Sequence, residues 1–301
     1  MKKLYSVFIV LLLMLASFSA GIEYPRGDVS QDGQVSILDV TVLIDYLLNG
    51  TWPDDNPTDT TSTIDADVLV FRINGVSFKM VKVSGGAFMM SSGSSCHEVT
   101  LTKDYYIGET EVTQALWQAV MGDNPSFFAQ VNGYSENLHR PVESVSWYDC
   151  QTFISTLNEL TGKAFRLPTE AEWEFAARGG NDSQGYKYAG SNAVNLVAWY
   201  QENSCTVGES SPDYGTHSVA TKIANELGLY DMTGNVWEWC QDWHADFNAE
   251  PQIDPLGPVT GIYRVQRGGG WITDYVSSMI AYRGCQVPSS ISNQRGLRLA
   301  L

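Results

Sequence analysis

Two stretches of this chain space oxygen ligands as a hard cation requires. Asp28-Val-Ser-Gln-Asp-Gly-Gln-Val-Ser-Ile-Leu-Asp39 has the length of a 12-residue calcium loop. Asp28, Ser30, Asp32, the Gln34 carbonyl, Ser36 (through water) and Asp39 would supply the oxygens, and Gly33 holds the position of the sharp turn. The second stretch is Asp231-Met-Thr-Gly-Asn-Val-Trp-Glu238, in which two carboxylates bracket a Gly-Asn turn. Carboxylates combined with turn carbonyls can wrap calcium. Sulfur and imidazole are less promising. Cys96, Cys150, Cys205, Cys240 and Cys285 form no Cys-x-x-Cys pair, and His97, His139, His217 and His244 are scattered without zinc-ligand spacing. Glu170-Ala-Glu-Trp-Glu174 suggests acid–base pairs, but no nucleophile adjoins it and a helix start accounts for its charges.

The elements that would position these residues differ along the chain. Residues 1–20 read as a signal peptide: Lys2 and Lys3, then an apolar run from Phe8 to Leu15, then Ser17-Phe-Ser-Ala20. That run is shorter than the roughly 20 residues a membrane helix needs, and no later segment is long enough to span. Residues 23–50 form a calcium loop followed by a helix with Val40, Leu43, Ile44, Leu47 and Leu48 on one face, stopped by Gly50. Residues 51–66, rich in Pro, Asp and Thr, read as a linker, and residues 67–301 as the main domain. In that domain a hairpin is expected around Asn74-Gly75, and three helices follow. The first has Leu116, Trp117, Val120 and Met121 on one face. The second starts at the Ser146/Asp149 capping box and buries Trp147, Cys150, Phe153, Ile154, Leu157 and Leu160. The third is capped by Thr169. Beyond Gly180 neither period is sustained.

The net charge of −16 becomes more negative once Lys2 and Lys3 are removed with the signal peptide. Such a surface repels nucleic acid and anionic membranes and suits calcium binding. Export places the chain in an oxidising compartment, where one or two disulfides can form and at least one of five thiols stays unpaired. Cys150 and Cys240 adjoin aromatic motifs and are expected to be buried thiols.

Four motifs carry a resemblance: Arg166-Leu-Pro-Thr-Glu-Ala-Glu-Trp-Glu-Phe-Ala-Ala-Arg-Gly-Gly180, Gly228-Leu-Tyr-Asp-Met-Thr-Gly-Asn-Val-Trp-Glu-Trp239, Arg267-Gly-Gly-Gly-Trp271 and Arg295-Gly-Leu-Arg-Leu-Ala-Leu301. From about Val81 to Leu301 the chain resembles the formylglycine-generating enzyme (sulfatase-modifying factor) superfamily. The resemblance implies an α+β fold, irregular and related to C-type lectins, whose loops are pinned by packed tryptophans and calcium. It maps a calcium site onto the side chains of Asp231 and Glu238 and the carbonyls of Gly234 and Val236. It also places the family's copper-binding cysteine pair at Thr273 and Ser278, where no thiolate exists. Formylglycine generation is therefore not expected, and no catalytic residue is assigned. The loop at 28–39 ends in Asp rather than Glu and resembles a dockerin repeat. One repeat is too short to bury a good core, which weighs against cohesin docking.

The expected function is binding of an extracellular protein or glycan ligand by a calcium-stabilised, exported, non-catalytic domain. Two alternatives accompany it. One is an oxidoreductase-type enzyme with altered chemistry. The other is a retroelement-diversified receptor, which the resemblance also suggests, with its variable stretch at residues 272–294.

Overall fold

The computed structural model describes residues 62–65, 67–92, 95–247 and 249–301. The chain divides into two compact units, Met1–Pro57 and Thr58–Leu301, and the described residues belong to the second. The signal-peptide segment and the loop-helix module, with Asp28, Ser30, Asp32, Gln34, Ser36 and Asp39, lie outside the described residues.

β1 (Ser62–Asp65) falls within the stretch expected as a linker and pairs antiparallel with β2 (Val68–Ile73). β2 turns into β3 (Val76–Val83) through Asn74 and Gly75, whose φ values of 47° and 86° suit a two-residue hairpin in a twisted sheet. β4 (Gly86–Ser92) and β5 (Ser95–Leu101) form a second hairpin, and β6 (Tyr105–Gly108) returns to β3.

α1 (Gln114–Met121) is capped by Thr113, whose Oγ1 accepts the Leu116 N–H at 3.2 Å, and is closed by Gly122 at φ 83°. α2 (Trp147–Thr161) starts at the expected box: Asp149 N–H donates to Ser146 Oγ at 3.1 Å, and Ser146 N–H to Asp149 Oδ2 at 2.8 Å. Its stripe is buried from Trp147 to Leu157. The expected Leu160 is instead partly exposed, and Thr161 is buried with its hydroxyl donating to Leu157 O at 2.7 Å. Trp117 stacks on Phe153 at 4.8 Å, joining α1 and α2 in one core with Phe71, Ile73, Leu297 and Leu299. α3 (Glu170–Ala177) is capped reciprocally by Thr169 and Glu172. It buries Trp173, Phe175, Ala176 and Ala177 in a second core with Met90, Val99, Leu101, Leu229 and Val265.

After Gly180 the regular elements are short: α4 (Val194–Val197), β7 (Trp237–Trp243), β8 (Gln252–Ile253), β9 (Arg264–Arg267), β10 (Gly284–Gln286) and β11 (Arg295–Gly296). Three sheets result among the described residues, ordered β1-β2-β3-β6, β10-β9-β7-β11 and β4-β5-β8. The closing segment is tied by main-chain bonds, with Leu301 exchanging both of its bonds with Tyr106 at 2.9 and 3.0 Å and Ala300 exchanging bonds with Arg166.

Indole N–H groups fasten the irregular half. Trp147 donates to Cys240 O at 3.0 Å, Trp239 to Val145 O at 3.2 Å and Trp271 to Asn293 O at 3.0 Å. Each buries a large apolar ring and satisfies a distant carbonyl, so loops without a period still have a fixed path. Among the described residues no helix is long and apolar enough to cross a membrane.

Candidate functional site

The Asp231–Glu238 turn is a junction of backbone bonds. Gly234 sits at φ 84°, and a Cβ there would lie 2.2 Å from Trp199 O, so only glycine fits. Its N–H donates to Gly268 O at 2.9 Å, the Asn235 N–H to Trp199 O at 2.7 Å, and the Trp271 N–H to Asn235 O at 2.7 Å. Glu111 clamps the turn, one oxygen accepting the Val236 N–H at 3.0 Å and the other the Asn235 side-chain amide at 2.8 Å. Glu111 was not singled out by sequence reasoning. It is 124 residues from Asn235, and no spacing rule connects them.

Beneath the turn Glu238 meets a guanidinium. Its carboxylate accepts from Arg298 Nε at 2.9 Å, from Arg298 Nη2 at 2.7 Å and from the Trp173 indole at 2.6 Å. Arg298 also donates to Gly108 O and Tyr230 O, both at 2.8 Å, and the pair is fully buried. Asp231 is arranged differently. Oδ2 accepts the Ala220 N–H at 2.7 Å, while Oδ1 is buried without a partner. Burial, reinforced by Glu238 and resisted by Arg298, pushes the Asp231 carboxyl up to about 6. Burial, then Asp231 and Glu238, pushes Glu111 well above the ordinary carboxylate range. The structure thus brings Asp231 and Glu238 to one centre, with Gly234 and Val236 in the turn above it. Three carboxyl groups there face one guanidinium. The Lys222 ammonium also acts on Asp231, and the unpartnered oxygen fits an added cation. No group of three or more His, Cys, Asp or Glu is arranged for a metal among the described residues, so an ion here would depend on backbone carbonyls.

The acidic run at the start of α3 is more than a helix cap, a correction to the expectation. Glu172 caps, but Glu170 and Glu174 are buried counter-ions. Glu174 holds Arg267 and, at 2.6 Å, Arg178. Glu170 holds Arg283 at 2.6 Å, and Arg267 Nε lies 3.0 Å away but off-line for a hydrogen bond.

Thr273 and Ser278, where the resemblance placed the family's thiol pair, serve the backbone instead. Thr273 Oγ1 accepts the Gly270 N–H at 2.8 Å, and Ser278 Oγ donates to Asp274 O at 2.9 Å. Ser278 is fully buried against Gly269, where a Cβ would meet its Oγ at 2.8 Å. All five cysteines are free thiols, so the expected disulfides are not formed; Cys150 and Cys240 are buried as expected.

The segment 272–294 is held from below and open above. Thr273 O accepts the Gln201 N–H at 3.0 Å, and Arg267 Nη1 donates to Ile280 O and Tyr282 O at 2.8 and 2.9 Å. Along the segment Tyr275 is 51% and Ile291 61% exposed, with the side chains of Val276, Tyr282 and Val287 also exposed. Trp271, at its base, packs edge-on against Phe128 at 5.1 Å and Tyr214 at 5.0 Å. Tyr214 also lines a cavity of about 300 Å³ with Tyr134 and Arg140.

Residues 74–301 match the sulfatase-modifying factor enzyme 1-like domain, more than half of the chain. The chain belongs to that family. The sulfatase-modifying-factor-like chain also matches the dockerin type I domain over residues 26–69, which extends through the stretch expected as a linker. It is 35% identical over 270 residues to the chaperone protein LppX of Paenibacillus barcinonensis, covering 74% of this chain and 89% of that one. It is 36% identical over 205 residues to the formylglycine-generating enzyme of Thermomonospora curvata, covering 63% of this chain and 62% of that enzyme. Among solved structures, Treponema denticola variable protein 1 superposes with a TM-score of 0.66 at 34% identity, covering 81% of this chain and 99% of that one.

Proposed function

We propose that this sulfatase-modifying-factor-like protein is exported and binds an extracellular ligand through the surface of residues 272–294 without catalysing a reaction. One observation carries the reading: the segment is tied to rigid elements at 273, 280, 282 and 293, yet exposes Tyr275, Val276, Tyr282 and Ile291. Exposed aromatic and branched side chains on a fixed base suit recognition, because little freedom is lost on binding. The likeness to Treponema denticola variable protein 1 favours a diversified-receptor version. The test is a glycan and protein binding screen with the full chain. Hits should weaken when Tyr275, Tyr282 or Ile291 becomes Ser, and ligands indifferent to all three changes would overturn the reading.

The enzymatic alternative has Thr273 and Ser278 against it. Without thiolates there, copper-dependent oxidation of a sulfatase-type cysteine peptide has no ligand pair. Conversion of that peptide by the unmodified protein with copper and reductant, lost in Cys285→Ser, would restore the enzyme reading.

Calcium belongs to the same proposal at two places. The dockerin match supports a site at Asp28, Ser30, Asp32, Gln34, Ser36 and Asp39, and it raises cohesin docking as a second partner class. The unpartnered Asp231 Oδ1 supports a second site, completed by the Gly234 and Val236 carbonyls and by a Glu238 shared with Arg298. Calorimetric calcium titration of Asp32→Ala and Asp231→Ala separates the two, and full stoichiometry in both variants would remove both assignments.

A further inference from the structure

A second cavity, of about 240 Å³, lies apart from the Asp231 turn, in the region where α3 meets β5 and β7. His97, Glu170, Asp242, Phe247, Leu256 and Arg283 are among its walls. Its single cationic lining group, Arg283, is already used. Arg283 Nε and Nη2 donate to Glu170 at 2.6 and 2.7 Å, Nη1 donates to Ala245 O at 2.9 Å, and the guanidinium lies 3.9 Å over the Phe247 ring.

Asp242, Asp246 and His97 add acceptors to these walls. Asp242 is only 5% exposed; its Oδ2 accepts the Glu170 N–H at 2.8 Å, and its Oδ1 lies beside Gly257, which also lines the cavity. No lysine or arginine pairs with Asp242 or with the neighbouring Asp246 among the described residues. His97 is 2% exposed, stands edge-on to Phe247 at 4.7 Å, and its Nδ1 is buried without a partner. Burial and Arg283 hold this imidazole below its ordinary range against the pull of Glu174 and Glu170, so it is neutral and offers a lone pair.

We propose that this cavity binds a small organic cation, a primary ammonium group carried on a short apolar chain. An ammonium has three donors and no acceptor, matching Asp242, His97 and the remaining lone pairs of Glu170. Phe247 and Leu256 suit the carbon chain. A carboxylate or phosphate would bring further negative charge beside Glu170, Asp242 and Asp246, against the single guanidinium of Arg283. A bare metal ion would lack a ligand set, since no three-residue metal group exists among the described residues, and would leave most of the volume unfilled.

The charge environment supplies a signature. Burial, then Glu170, pushes Asp242 up to about 7, with Glu172 adding to the rise. The other charged or titratable groups facing it are Arg264 on β9 and Cys240 on its own strand, while His97, His244, Asp246 and Arg283 surround the cavity region. A bound cation supplies the missing counter-charge and favours the ionised carboxylate. Ammonium affinity should therefore rise as pH passes upward through that value, roughly tenfold from about pH 6 to about pH 8.

The experiment titrates the full chain with pentylammonium, pentanol and pentanoate by calorimetry and ligand-observed NMR. Pentylammonium should bind about tenfold more tightly than either other probe. Asp242→Asn, which keeps an acceptor for the Glu170 N–H, should lose about tenfold in affinity and the pH dependence while melting like the parent. Equal binding of all three probes, absence of pentylammonium binding at about 10 mM, or undiminished binding by Asp242→Asn would each overturn the proposal. Should Asp242→Asn fail to fold, Leu256→Trp decides, because that side chain is 71% exposed at the rim and its enlargement leaves the core alone. Unchanged pentylammonium affinity there counts against the cavity. Failure of this site leaves the 272–294 ligand surface standing, because the screen for that surface reads different variants.

Discussion

Two buried charge centres lie in the same domain, and their arithmetic differs. Around Arg267 the acids Glu170 and Glu174 are met by three guanidinium groups, those of Arg267, Arg178 and Arg283. Around Arg298 the carboxyls of Glu111, Asp231 and Glu238 face one. Ionised groups buried without compensation cost several kcal/mol, so the two centres respond differently to the same disturbance. In the first, Arg267 and Arg283 outweigh burial and hold Glu170 below its ordinary range. In the second, burial prevails and two of the three acids are pushed up. In the first centre each acid is answered by guanidinium groups. The second holds a raised carboxyl with an unpartnered oxygen, and it adjoins the turn where calcium was expected.

The largest expected effect tests that contrast directly. Arg298→Met leaves Glu238 unpaired beside two other acids and should cost about 3–5 kcal/mol. Arg267→Met should cost less, since Arg178 and Arg283 still answer Glu174 and Glu170. Urea denaturation of both variants measures this, and equal losses would break the comparison. Combining Arg298→Met with Glu238→Leu should recover much of the loss, because an apolar pair can replace a buried ion pair.

The pH response is next in size. The folded Asp231 carboxyl sits near 6 against an ordinary 3.8, so the native state holds its proton more tightly than the unfolded chain does. Its contribution is therefore fully present below the ordinary carboxylate range and is lost as pH rises toward 6. A shift of about two units corresponds to at most about 3 kcal/mol. Glu111 acts in the same direction and Glu170 in the opposite one. In chelator, the urea midpoint should fall between about pH 4 and about pH 6.5, and Asp231→Asn should flatten that slope. At neutral pH, calcium at a hundredfold excess over its dissociation constant should restore about 2.7 kcal/mol to the parent. An Asp231→Asn protein that gains equally from calcium would remove the ion from this centre.

What the sequence made legible follows from how far its signals reach. Ser146 and Thr169 act on neighbours within one helical turn, and both start helices as their local chemistry dictates. The Asn74-Gly75 hairpin is local in the same way. Motif resemblance extended that reach to the fold and to the Asp231–Glu238 turn. The partners that decide the turn's chemistry are distant: Arg298 is 60 residues from Glu238, and Glu111 is 125 from Val236. Spacing along the chain carries no trace of such pairs, so the two carboxylates could be read as neighbours while the guanidinium beside them could not. The role of Glu170 and Glu174 was hidden similarly, since helix capping accounts for acids in a first turn unless Arg267 and Arg283 are known to lie beside them. Leu160 misled for another reason. It keeps the helical period but sits in the last turn of α2, where the apolar stripe drifts off the core and Thr161 is buried instead.

A smaller effect is expected at the start of α3, beside the Arg267 centre. Thr169→Ala removes the acceptor for the Glu172 N–H, 3.1 Å from Thr169 Oγ1, and should cost about 1 kcal/mol. If the Arg267 centre is held rigidly by its ion pairs, that cost should stay local. A thermal melt that loses cooperativity would instead mean that the cap positions Glu170 and Glu174.

The smallest effects belong to the surface segment, and they carry the functional contrast. Tyr275 and Ile291 are more than half exposed, so replacing either by Ser removes little buried area and should change stability by under about 0.5 kcal/mol. Trp271, only 3% exposed and bonded to Asn293 O, lies at the base of the same segment, and Trp271→Ala should cost about 3–5 kcal/mol. A rigid base under replaceable tips is what lets one scaffold present different side chains to different ligands. Urea midpoints for the three variants test it together. If Tyr275→Ser or Ile291→Ser destabilised the domain as Trp271→Ala does, the tips would be part of the fold, and residues 272–294 could not vary freely as a recognition surface.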